Sequence, residues 1–515
     1  MSSLSDPSSS DDPSPSSLTV RTATGAGWII AWRMTTRVLG MLSTLVLARL
    51  LVPADFGLVA LASSLSNAVD LFSTVGVEQA LIREDHVDRA LYDTGFTINV
   101  LRALAVALVV VAGAGPAAAF YGDDRLRWIL LALALGLLFS GLENIRVVDF
   151  ERDIAFNKRF QILLFPRIAA VIVSVSFALV YRSYWALVLS ILTNRALSLV
   201  LTYVVRPWLP RVTLRSWRRI FGFSFWVWGT ATVAAVRDRI DALVIGRVLG
   251  PASVGIYAIG MEIGSLISSE LVGSLTTALF SGFSAARRID ASSVARAYFR
   301  AISATFLLTL PLGFGLSLLA GPIVRLMLGP RWTGAVFIVQ IFAVLGTARV
   351  IAYFSGVLLN AHAMLTVQFR IISFSLLVRL GVLAVLVRPF GLLGAALAAA
   401  ACIAVEEILF LVVTFRRFQL NPIDLLASTW RCMLATAAMA ALLVWEGIGW
   451  APAAESTEDV WRTLVLGVSS GAAAYTVTLL LAWWCVGRPR GAETFVLDLL
   501  QQMARHLGRR WGFVR

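Results

Sequence analysis

Arg33 and Arg37 stand four residues apart inside an apolar run, residues 26–50. On a helix that spacing puts both guanidinium groups on one face. Charges at such positions are costly, and they mark functional sites more often than ordinary surface. Arg195, Arg237 and Arg239 lie in later apolar runs, with Asp70, Glu262 and Glu270 in others. Guanidinium groups stay charged and hold phosphate oxygens bidentately, so a cavity lined by arginine suits an anion such as a diphosphate. The three carboxylates admit two readings. They exchange a proton or cation, or they neutralise arginines across helices. Arg237 and Asp241 are i,i+4 and could pair with each other. Arg102, Arg167, Arg349 and Arg379 lie nearer the ends of their runs, where long side chains reach the interface. Glu406 and Glu407 complete the set.

Other chemistry has little to stand on. Cys402, Cys432 and Cys485 all sit in apolar runs, and His86, His362 and His506 are far apart in sequence. No metal-ligand spacing, nucleophile motif or cofactor motif is present, so no metal, no cofactor and no catalytic residue is expected.

The elements that position these groups are membrane spans. Hydrophobic residues make up 58% of the chain and charged residues only 14%, against about 45–50% and 25% in soluble domains. A crossing helix needs about 20 apolar residues. Fourteen runs qualify: 26–50, 55–77, 94–120, 127–147, 161–181, 183–205, 220–248, 252–282, 299–321, 333–360, 366–387, 390–414, 427–448 and 461–486. Gly113, Gly115 and Pro116 threaten to end the third run early. The eighth is polar for a span. Every second connection, counting from the N-terminus, holds most of the basic residues; the others hold few. This alternation is the positive-inside pattern and places both termini in the cytosol. The net charge of +14 is therefore read as topology, and no nucleic-acid partner is expected. No inner connection is long enough for a soluble catalytic domain.

The ends are polar or amphipathic. Residues 1–20 hold nine serines and three prolines, a composition that favours disorder. Phe495, Leu499, Leu500, Met503 and Leu507 recur at helical spacing among arginines, which predicts an interfacial helix. The connection 206–219, with Trp208, Trp217 and five arginines, is expected on the inner headgroups. The cytosolic turn around Arg83 and Arg89 is read the same way.

The chain also repeats itself. Arg49-Leu50-Leu51-Val52-Pro53-Ala54-Asp55-Phe56-Gly57 returns as Arg247-Val248-Leu249-Gly250-Pro251-Ala252-Ser253-Val254-Gly255, with five of nine positions identical at an offset of 198. Six runs separate the copies. The repeats therefore insert in the same orientation, and their symmetry axis runs along the membrane normal, an arrangement found in transporters. Pro53, Gly57, Pro251 and Gly255 are read as structural turn residues.

The stretch from Leu47 to Leu58 resembles the first inter-helix turn of bacterial polysaccharide flippases of the Wzx/WzxC type, members of the multidrug/oligosaccharidyl-lipid/polysaccharide exporter superfamily. Phe120-Tyr121-Gly122, Glu151-Arg152-Asp153-Ile154-Ala155-Phe156 and Leu328-Gly329-Pro330-Arg331-Trp332 extend the resemblance over roughly residues 20–420. It implies an all-α membrane protein with two six-helix lobes around a central cavity and two further helices. On this basis the chain divides into a disordered tail (1–22), an N-lobe (23–205), a linker (206–219), a C-lobe (220–414), spans 13 and 14 (415–486) and an amphipathic tail (487–515). The resemblance implies a flippase of the bacterial inner membrane that moves undecaprenyl-diphosphate-linked oligosaccharide outward by alternating access. It also implies as partners membrane lipids and the polysaccharide polymerase and export machinery. Two rivals stand beside it: a multidrug or cation antiporter of the same superfamily, and a membrane polysaccharide polymerase or lipid-linked glycosyltransferase.

Overall fold

The computed structural model describes residues 34–72, 77–84, 87–152, 156–220, 225–287, 291–450 and 456–487. Arg33, the serine-rich tail and the amphipathic C-terminal segment lie outside them. Among the described residues there is no strand. Nine helical stretches among the described residues are long and apolar enough to cross a membrane, and the molecule is a multi-pass membrane protein.

The helices are, in chain order, α1 (34–50), α2 (Pro53–Phe72), α3 (Val77–Arg83), α4 (Arg89–Tyr121), α5 (Arg125–Gly141), α6 (Asp149–Arg152), α7 (Phe156–Tyr181), α8 (Trp185–Val205), α9 (Trp217–Ile220), α10 (Phe225–Leu249), α11 (Pro251–Arg287), α12 (Ala291–Leu318), α13 (Ala320–Met327), α14 (Val336–Ala348), α15 (Val350–Ala361), α16 (Leu365–Phe418), α17 (Pro422–Trp445) and α18 (Thr457–Cys485). Each apolar run overlaps one or more of these helices. Four are instructive. Gly113, Gly115 and Pro116 do not end α4, which continues to Tyr121; in membrane helices proline is tolerated because neighbours re-satisfy the freed groups. The run 333–360 is covered by α14 and α15, between which Arg349 keeps helical backbone angles and helical hydrogen bonds to Leu345 and from Tyr353, so the two are continuous. The tenuous run 252–282 belongs to the 37-residue α11. Finally, α16 doubles back within one continuous assignment. Gly391 takes φ 57°, a left-handed conformation open to glycine and strained for most other residues, and Pro389 precedes it. The legs on either side match the expected runs 366–387 and 390–414.

The chain forms two compact units. The first comprises Met1–Leu50, Ser73–Ala118 and Asp124–Phe223; the second comprises Leu51–Phe72, Ala119–Asp123 and Ser224–Arg515. α2 thus belongs with α10 and α11, although its sequence position is near the start of the chain.

Within the first unit, the connection after α8 packs onto α4. The backbone N–H groups of Arg211, Thr213 and Ser216 donate to Asp93 Oδ1 (2.9 Å), Thr97 Oγ1 (3.0 Å) and Thr94 Oγ1 (3.2 Å). Trp208 stands edge-on to Tyr92 and Phe96. Asn144 Nδ2 donates to the Arg206 carbonyl at 2.6 Å. Arg206 Nη2 reaches Asp149 Oδ2 at 2.6 Å, and Tyr92 donates to the same carboxylate. Arg219 pairs with Glu84 and Asp88, and the bond to Glu84 raises the pKa of its guanidinium. This segment therefore has a protein-facing edge as well as an outer one. On the outer edge Leu209 and Val212 are 82% and 86% exposed, beside arginines 211, 215 and 218.

Candidate functional site

Most of the family-like motifs meet within the second unit, while Glu151-Arg152 lies in the first. α2 and α11 cross where Gly57 meets Gly255. A Cβ on Gly57 would fall on the Pro251 carbonyl oxygen, and a Cβ on Gly255 would fall on the Pro53 carbonyl oxygen. The contact is reciprocal: residues 53 and 57 do to residues 251 and 255 what these do in return, at the offset of 198 found in the sequence. Phe56 packs edge-on against Trp332, which is fully buried, with ring centroids 5.3 Å apart. Arg247 lies over the Phe120 ring at 4.9 Å, and Tyr121 donates to the Leu243 carbonyl. The turn residues Pro53, Gly57, Pro251 and Gly255 thus form a close backbone crossing, around which Phe120-Tyr121 and Trp332 are packed. None of this is chemistry; it is what lets two helices approach at backbone distance.

The charges in the second unit are paired across helices. Arg237 and Asp241, both on α10, do not pair with each other. Arg237 Nη1 donates to Glu406 Oε2 at 2.6 Å and its Nε to Asp238 Oδ1 at 3.0 Å. Asp241 receives Arg379 Nε at 2.7 Å, a second bond from Arg379 Nη2, and the Tyr257 hydroxyl at 2.6 Å. Arg237, Asp241 and Arg379 are 5%, 2% and 5% exposed. The i,i+4 spacing on α10 aims both side chains at α16, whose two legs supply one cation and one anion in complementary order. Arg379, expected to reach an interface, is instead held inside by a bidentate carboxylate. Glu407 accepts from the Ala352 N–H at 2.9 Å.

The remaining site residues are distributed as follows. Arg239 is exposed on α10, and Glu262 is exposed on α11. Asp70 on α2 and Glu270 on α11 are half-buried.

The first unit holds its arginines differently. Arg37 is half-buried on α1, and Arg195 on α8 is exposed, with its Nη1 3.2 Å from Ser140 Oγ. Of the sequence-derived site residues, the structure therefore places Arg37 and Arg195 in the first unit and Arg237, Arg239, Asp70, Glu262 and Glu270 in the second. Only Arg237 is drawn into the buried charge network. That network's other members, Asp241, Tyr257, Arg379 and Glu406, are revealed by tertiary contact. The available sequence signal was the presence of both charge signs on the runs around 237–241, 379 and 406, three arginines against four carboxylates. Among the described residues, no group of three or more His, Cys, Asp or Glu side chains could hold a metal ion.

The helices and their charges define a multi-pass helical membrane protein with charged groups inside its spans. Residues 46–337 match the polysaccharide biosynthesis protein family, and the chain belongs to that family. Among curated proteins it is 25% identical to the succinoglycan biosynthesis transport protein ExoT of Rhizobium meliloti (strain 1021), over 60% of this chain and 63% of that one. It is 22% identical to the lipopolysaccharide biosynthesis protein WzxC of Escherichia coli (strain K12), over 69% and 73%. An uncharacterized membrane protein in the cps region of Klebsiella pneumoniae is 22% identical over 76% of this chain and 82% of its own length. Among solved structures, the lipid II flippase MurJ in an inward closed conformation superposes with a TM-score of 0.68 at 15% identity, covering 88% of this chain and 98% of that one. An inward-facing multidrug resistance MATE family transporter gives 0.57 at 13% identity, over 75% and 94%. The fold is that shared by these transporters.

Proposed function

We propose that this protein is a flippase that moves undecaprenyl-diphosphate-linked oligosaccharide from the inner to the outer leaflet of the bacterial cytoplasmic membrane, for export of a surface polysaccharide. The observation that carries the reading is the pair of arginines on α1 and α8 of the first unit, Arg37 and Arg195, set within apolar helices. Relatives whose names refer to succinoglycan transport and lipopolysaccharide biosynthesis support it.

The physical task is plain. A diphosphate and its sugars cannot cross about 30 Å of hydrocarbon unaided, because an unpaired charge there is prohibitively desolvated. Arginines lining a cavity replace the water around the phosphates while the polyprenyl tail stays in lipid. The cavity opens to one side of the membrane and then the other. Arg33, Arg37, Arg195, Arg237 and Arg239 are the proposed phosphate-binding set, with Arg237 joining only when its bond to Glu406 is released. Asp70, Glu262 and Glu270 are the proposed coupling groups. Fourteen crossings with both termini in the cytosol, two six-helix lobes and two added helices complete the proposal. The lobes run 23–205 and 220–414, joined by the 206–219 linker. The process needs no covalent chemistry and no cofactor. Polymerase and export proteins are the expected partners.

The test is lipid analysis after deletion of the gene. Complete undecaprenyl-diphosphate-linked repeat units should accumulate on the cytosolic leaflet, with loss of surface polysaccharide. Incomplete units would assign a glycosyltransferase, and complete units on the outer leaflet a polymerase. An unchanged lipid and polysaccharide profile would favour the antiporter.

A further inference from the structure

Gly40 on α1 is crowded by a single side chain. A Cβ placed there would stand 2.6 Å from Arg167 Nη2 and 3.7 Å from its Cζ, and the three nearest atoms from other parts of the chain all belong to Arg167. The Arg167 guanidinium of α7 therefore lies across the backbone of α1, in a gap that exists because residue 40 has no side chain. Both helices belong to the first unit. Arg37 is three residues from Gly40, on the same face of α1.

The face of α7 that carries Arg167 is the packed one. Ala170, Ser174 and Ala178 follow at i+3, i+7 and i+11, on one stripe of the helix, and are buried at 1%, 0% and 0% exposure. Phe165, Ile172 and Leu179 form the opposite, outward stripe. An arginine that merely reached for the headgroups would share the outward stripe. Arg167 is nonetheless exposed. Among the described residues, no carboxylate lies within ion-pair distance of it. Arg237 and Arg379, by contrast, each have a partner at hydrogen-bond distance.

We propose that Arg167, laid across Gly40 one helical turn from Arg37, is a phosphate-binding group of the first unit and takes an oxygen of the cargo's diphosphate. The proposal rests on the flippase reading and adds to it a residue, a helix and a reason for glycine at position 40. A planar guanidinium whose tip is set against a neighbouring helix keeps its other donors for a bidentate grip on phosphate. The shared chemistry is a phosphate ester. A phosphatidylglycerol headgroup offers one phosphate, and a polyprenyl diphosphate offers two.

The experiment is equilibrium binding of undecaprenyl diphosphate to the purified full chain in nanodiscs, with phosphatidylglycerol as competitor. Wild type, Arg167→Ala, Arg167→Lys, Gly40→Ala and Arg37→Ala are compared. Loss of one charge-assisted hydrogen bond corresponds to about a tenfold weaker affinity, expected for Arg167→Ala. Gly40→Ala keeps the charge but displaces it, and should weaken binding to a similar degree. Arg167→Lys should recover part of the loss, and phosphatidylglycerol should compete poorly. Wild-type binding with Arg167→Ala within about twofold of it would overturn the assignment of Arg167 and leave the flippase reading intact. Equal competition by phosphatidylglycerol would make the site a membrane-lipid contact and overturn the assignment too. No saturable binding by wild type would overturn both.

Discussion

The two units treat their intramembrane arginines in opposite ways. In the second unit Arg237 and Arg379 are buried and each grips a carboxylate on another helix. In the first unit Arg167 and Arg195 are exposed on apolar helices, Arg195 hydrogen-bonded to the neutral Ser140 and close enough to Glu143 to act on it electrostatically, and Arg167 set against α1 at Gly40. The residue type and surrounding hydropathy are the same; only the partner differs. An arginine matched by a buried carboxylate works as a fastener between helices. An arginine left facing open space keeps its binding capacity for something that is not protein. Counting charges per span cannot separate these roles, and locating the carboxylates does.

That contrast can be broken at graded cost. The largest effect on stability is expected from Arg379→Met, which leaves Asp241 buried without its cation; removing one partner of a buried pair costs about 3–5 kcal/mol. The folded fraction in detergent should fall sharply, and Asp241→Leu in the same chain should restore most of it. If the single variant melts like wild type, the fastener assignment is wrong. Next comes Gly57→Ala. Overpacking at the α2–α11 crossing should cost about 1–3 kcal/mol, read as a lowered thermal midpoint. Gly255→Ala should do the same, and the double variant should lose less than the sum because both press on one crossing. A smaller loss, about 1 kcal/mol, is expected from Thr97→Val, which removes the acceptor of the Thr213 N–H; limited proteolysis of the 206–219 segment would register it. The smallest effect on folding belongs to the exposed Arg195→Ala, within about 0.5 kcal/mol, with the half-buried Arg37→Ala somewhat larger. The same two changes, or Arg33→Ala with Arg37→Ala, should abolish transport in a well-expressed protein. Normal transport by those variants would erase the distinction between the units.

Much of the architecture was legible in the residues because hydropathy is a local signal. The apolar runs fall on helices, and the turn between residues 387 and 390 is marked by proline and glycine within a few positions. The repeat was legible for the same reason, since Pro53, Gly57, Pro251 and Gly255 carry it in short motifs. The burial of Arg379 was not legible, because a position near the end of an apolar run reads as reach toward the interface. The partners of Arg237 and Asp241 were also hidden: they lie 169 and 138 residues away along the chain, and helix spacing says which way a side chain points but not what it meets. Nor did composition reveal that the 206–219 segment would bind α4 through its backbone, since extended N–H groups leave no residue signature.

The crossing of α2 and α11 has a bearing on how such a chain came to exist. A contact in which each side is a copy of the other is the self-complementary interface that two identical chains make about a two-fold axis. Here both sides are encoded in one polypeptide, 198 residues apart, as a duplication and fusion of a half-length ancestor would leave them. Once fused, the halves were free to diverge, and one came to hold exposed arginines while the other acquired ion pairs. The two glycines did not share that freedom, because a side chain at either would strike the carbonyl contributed by the other copy. Such a pair can be lost only together, which makes the crossing a place where ancestry stays readable after the surrounding sequence has drifted.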